Sequence, residues 1–69
     1  MNSFDNVKSN ALKAIEENFS LALKRQELIY LDGTFTQILF CWSIGLIDDQ
    51  EKESLINRHY EIEDSILER

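Results

Sequence analysis

The sequence predicts an all-α fold, a small three-helix bundle whose first helix is long, second short and apolar, and third acidic and amphipathic. Three observations carry this. Apolar residues recur at helical spacing through most of the chain. Proline is absent and glycine occurs twice, at Gly33 and Gly45, so few points punctuate the chain. Gly45 to Glu51 combines a helix-stop with a helix-start signal. At 69 residues and 43% hydrophobic composition, this is expected to be a single helical domain over residues 1–69. A core of that size supplies only a few kcal/mol on its own, so further burial is welcome.

The first helix is expected from about Ser3 to about Tyr30. Ser3 or Asn2 can cap it, and Asp5 sits in the first turn, where negative charge favours a helix N-terminus. Phe4, Val7, Ala11, Ala14 and Ile15 lie at helical spacing. Leu12, Ile15, Phe19, Leu23 and Tyr30 continue an apolar face around Ala22 and Gln26. Asn18-Phe19-Ser20 is the weakest point and a candidate bend. Unbroken, the helix would be about 40 Å long.

Leu31-Asp32-Gly33-Thr34 is the expected break. Asp-Gly between apolar runs is also a hairpin signal, so an α+β fold with a hairpin around Asp32-Gly33 is the alternative. An isolated hairpin is marginal in water and no third strand is evident, which favours the helical reading. On that reading Gly33 ends the first helix and Thr34 caps the second, from Phe35 to Ile44.

This second helix is the most apolar segment. Phe35, Ile38, Leu39 and Trp42 share one face, while Phe40, Cys41 and Ile44 fall largely elsewhere. A helix apolar nearly all round must be covered nearly all round. Phe35, Ile38, Leu39, Phe40, Trp42 and Ile44 are therefore expected to be shared between the intrachain core and a homodimer interface.

Gly45 fits the C′ position, with Leu46 or Ile47 folding back onto the second helix. Asp48 and Glu51 form a capping-box pair, with Ile47 placed for a hydrophobic staple. The third helix then runs from about Asp49 to Leu67. Its stripe is Leu55, Ile56, His59, Ile62, Ile66 and Leu67. Glu53, Asn57, Glu61, Asp64 and Glu68 lie mainly on the opposite face.

Charge is uneven along the chain. The formal net charge is −6. From Asp48 onward there are eight acids (Asp48, Asp49, Glu51, Glu53, Glu61, Glu63, Asp64, Glu68) against three bases (Lys52, Arg58, Arg69), a net of −5. Such a segment repels a phosphate backbone. Lys8, Lys13, Lys24 and Arg25 make a thin basic strip, and no basic recognition helix follows the Gly45 turn. Nucleic-acid binding is therefore not expected, and a small transcriptional regulator is a minor alternative.

No nucleophile or metal motif is evident. Cys41 lies among apolar residues, which disfavours a reactive thiolate. His59 and Cys41 are the single residues of their types, against the three or four ligands a zinc site takes. Glu16-Glu17 and Asp48-Asp49 are adjacent on helices and point about 100° apart, so neither pair converges. No enzyme, cofactor or metal is expected.

The leading expectation is a non-enzymatic, acidic protein-interaction module. It would form a homodimer and present Glu53, Glu61, Asp64 and Glu68 to a partner protein with a basic surface. A small inhibitor or nucleic-acid mimic, of the kind phages and mobile elements encode, is one version. The alternative is a metal- or ligand-binding helical dimer using His59 and nearby carboxylates. The N-terminus lacks the basic and apolar regions of a signal peptide. The longest uncharged run, Gly33 to Ile47, falls short of the ~20 residues that span a bilayer. A cytoplasmic protein without membrane association is expected.

Overall fold

The computed structural model describes the backbone of residues 3–68 and the side chains of residues 5–68. The expected Asn2 or Ser3 cap, Phe4 and Arg69 lie outside those side chains. Among the described residues three α-helices fold up, down and up: α1 over Ser3–Arg25, α2 over Ile29–Ser43 and α3 over Asp49–Leu67. No strand occurs among the described residues, so the hairpin around Asp32-Gly33 does not form. No described helix is long and apolar enough to cross a membrane.

The first break differs from the expected one. The chain reverses at residues 26–28, and Gly33 lies inside α2. Gln26 takes a left-handed backbone at φ 54°, and the Glu27 N–H reaches back to the Ala22 carbonyl at 3.3 Å. That bond is the long one of a Schellman turn. The Gln26 side-chain amide donates to the Leu23 carbonyl at 2.6 Å and satisfies a second acceptor at the helix end. Lys24 and Arg25 stand in the last turn, where cations suit the dipole. Leu28 begins α2 without a side-chain cap.

Packing explains the shift. Leu31, Thr34, Ile38 and Cys41 are all buried and lie at helical spacing. A helix starting at Thr34 would leave Leu31 in a loop; starting at Ile29 brings all four to bear on one face. Thr34 does not cap anything. It sits fully buried inside α2, and its hydroxyl donates to the Tyr30 carbonyl at 2.7 Å. Asn18-Phe19-Ser20 is not a bend, because Phe19 is one of the largest fully buried side chains and anchors α1.

The second turn follows the expected pattern. Gly45 has φ 77°, its N–H bonds to the Trp42 carbonyl (3.0 Å), and the Leu46 N–H bonds to the Cys41 carbonyl (2.9 Å). Together these close a Schellman motif, and Leu46 and Ile47 are buried beneath it. Asp48 then accepts from the Glu51 N–H (2.7 Å), while Glu51 accepts from the Asp48 N–H (3.1 Å), completing the capping box. The staple is not made in its usual form, since the residue one turn into α3 is Lys52; Ile47 packs into the core instead.

That core joins Ile15, Phe19 and Ala22 of α1 to Leu31, Ile38 and Cys41 of α2 and to Leu55 and Ile62 of α3. Val7 and Leu23, expected on the inner face of α1, are exposed. Two ion pairs tie α1 to α3 in parallel: Lys8 with Glu51 at 3.0 Å, and Glu16 with Arg58. The Arg58 guanidinium also lies over the Phe19 ring, 4.9 Å from its centroid. The described molecule measures 44 × 20 × 14 Å, so each helix keeps a long side towards solvent.

Candidate interaction surfaces

The six residues expected at the α2 interface divide between four environments. Ile38 is fully buried and belongs wholly to the intrachain core. Phe35 is half-buried, with its ring 5.2 Å from the His59 ring and 6.2 Å from the Tyr60 ring of α3. Trp42 is partly engaged at the α2–α3 corner, where its indole N–H donates to Asp49 at 2.6 Å and the Lys52 ammonium lies 3.9 Å from its ring centroid. Leu39, Phe40 and Ile44 are exposed.

The outward face of α2 is therefore the largest departure from ordinary burial. Ile29 is 69% exposed, Phe40 61% and Ile44 55%. At about 100° per residue these three share a stripe with Gly33, Thr36 and Gln37, opposite the buried Leu31, Thr34, Ile38 and Cys41. The stripe carries no charge; Asp32, the single charged residue of α2, stands on its flank. A first helix that runs to Tyr30 and stops at Gly33 hides Ile29 and Gly33 from this face. The spacing Ile29, Gly33, Phe40, Ile44 held the signal.

The acidic face lies elsewhere. Glu53, Glu61, Asp64 and Glu68 are all exposed on the outer side of α3. Glu53 and Asp64 join no ion pair among the described residues, whereas Glu61 adds to the field at Arg58. The Glu16 carboxylate, and to a lesser extent Glu61, push the Arg58 guanidinium pKa up. The Asp48 N–H, with the Lys8 ammonium second, holds the Glu51 carboxyl below its usual range. Both groups serve the scaffold.

His59 and Cys41 face inward. The His59 Nε2 lies 3.3 Å from the Leu31 carbonyl, and its Nδ1 is buried without a partner among the described residues. The Cys41 thiol is buried, and desolvation pushes its pKa up, away from the reactive thiolate form. Among the described residues, no three His, Cys, Asp or Glu side chains gather as a metal set. A shallow groove of about 410 Å³ between α1 and α3 is lined by Leu12, Glu16, Glu51 and Arg58; Glu16 and Arg58 pair with each other, and Glu51 pairs with Lys8 outside the lining. Compared with protein-family models, with curated proteins and with solved structures, the chain matches none of them.

Proposed function

We propose that this chain is a non-enzymatic, self-associating interaction module: α2 joins two copies, and the acidic side of α3 meets a basic site on a protein partner. The observation that carries the proposal is the exposure of Ile29, Phe40 and Ile44 on one uncharged face of α2. Fully burying a large apolar side chain is worth about 1.5–3 kcal/mol, so covering these residues is a substantial driving force for association. The chain carries −6, of which −5 lies from Asp48 onward, so two copies repel each other chiefly through α3. The outward face of α2 is where they can meet without opposing charges.

Sedimentation across a wide concentration range tests the proposal. A concentration-dependent dimer that tightens with added salt is expected, because salt screens the like charges while leaving apolar contact intact. A monomer at every concentration and salt level would refute self-association. The partner half is read in the same experiment with a basic polypeptide such as polylysine. A Glu53→Gln, Glu61→Gln, Asp64→Asn, Glu68→Gln variant should keep the dimer but bind the polycation more weakly than a variant neutralised at Asp5, Glu17, Glu27 and Asp32. Equal weakening by both sets would reduce the acidic face to general charge.

A further inference from the structure

The outward stripe of α2 has an internal symmetry. Reversing the helix about the Thr36–Gln37 bond places Ile29 on Ile44, Gly33 on Phe40 and Thr36 on Gln37. Ile29 and Phe40, the most exposed large apolar residues of α2, and Ile44, its C-cap, all take part in this register. The geometry points to an antiparallel, two-fold dimer in which the Phe40 ring of each copy packs into the gap at Gly33 of the other. This rests on the self-association proposed above and specifies how it occurs.

Gly33 is the second, independent observation. It lies in the interior of α2, is exposed, and does not have the positive φ found at Gly45. A Cβ built there would meet nothing within 4 Å. Neither backbone conformation nor intrachain packing therefore requires glycine, and an exposed glycine weakens a helix interior. What glycine does provide is an opening on the outer face, where a neighbouring chain can approach the backbone. In a two-fold interface each residue contact occurs twice with the roles exchanged. Here a large ring and an absent side chain lie seven positions apart on one azimuth, and the antiparallel register sets each against the other. A parallel pairing would set ring against ring and gap against gap.

Charge supports the same occupant. In the antiparallel register the two Asp32 carboxylates lie about 13 Å apart along the helix axes at the usual rise per residue. That exceeds the ~8 Å screening length at physiological salt, so the flanking charge does not oppose the pairing. No other charged residue belongs to α2.

Gly33→Leu and Gly33→Ala test the register, with the parent protein measured alongside. Gly33→Leu should weaken the dimer at least tenfold, and Gly33→Ala less, while helicity and the Tm of dilute, monomeric protein hold or rise. Orientation is read separately in a Cys41→Ala background with a short bis-maleimide. Ile29→Cys and Ile44→Cys chains should cross-link when mixed, and neither should cross-link to itself. In the antiparallel dimer, like positions stand about 22 Å apart along the axis. A parent protein that stays monomeric overturns the assembly proposal itself, and this register with it. A dimer that tolerates Gly33→Leu, or that cross-links Ile44→Cys to itself, overturns the register and leaves self-association standing.

Discussion

Residues 26–28 and 44–48 both reverse the chain, and each turn places one residue in the left-handed region, Gln26 at φ 54° and Gly45 at φ 77°. Their chemistry differs. At the second turn glycine takes the strained position, two backbone bonds close the helix end, and Asp48 and Glu51 cap the next helix reciprocally. At the first turn a glutamine takes that position, at a cost of about 1–2 kcal/mol for an L-residue, and α2 starts with no side-chain cap. The second turn is specified by its own residues. The first is held by what lies on either side of it, namely Ile15, Phe19 and Ala22 of α1 closing on Leu31 and Ile38 of α2.

The largest test of this difference is Leu31→Ala. Leu31 is among the largest fully buried side chains, and its truncation should cost about 2–5 kcal/mol, comparable with the whole stability of a domain this small. Urea denaturation reads the effect. If packing holds the first turn, this loss should exceed that of any single turn residue, and a loss smaller than that of Asp48→Ala would break the comparison.

The same difference governs what could be read before the fold was known. The Gly45 stop and the Asp48–Glu51 box are local signals, and the buried stripe of Leu55, His59 and Ile62 follows from periodicity alone. Asp32-Gly33 misleads because a glycine after a polar residue carries the same local signal at a turn and within a helix. The decision belongs to Leu31, Thr34, Ile38 and Cys41, whose spacing runs straight through Gly33 and pays off only when α1 lies opposite. The candidate surface was legible to the same extent. Phe40 and Ile44 could be placed off the core face, but Ile29 joined them only once α2 was known to start three residues after Gln26.

The middle-sized test addresses the locally specified turn. Asp48→Ala should cost about 1 kcal/mol at neutral pH by removing one half of the capping box. The Glu51 carboxyl is held below its unfolded value, chiefly by the Asp48 N–H and then by Lys8. Its stabilising contribution is therefore complete above the unfolded pKa of about 4.3 and is lost as pH falls through the lower folded value. Stability of the parent should drop on acidification below about pH 4, and a Glu51→Gln variant, whose amide does not titrate, should lose less stability over the same range. An equal acid loss in the parent and in Glu51→Gln would show that the Glu51 half of the box contributes nothing.

The smallest effect should come from Gln26→Gly, and its sign is the informative part. Glycine removes the left-handed strain but adds entropy to the unfolded chain and deletes the Gln26 side-chain bond to Leu23. These terms nearly cancel, leaving a gain of at most about 1 kcal/mol. A small rise in Tm would show that the first turn tolerates a residue its backbone disfavours because the packed helices impose the geometry. A clear loss would show instead that the Gln26 amide closing the α1 end is a specific cap. The two turns would then both be written locally, one in glycine and the other in glutamine.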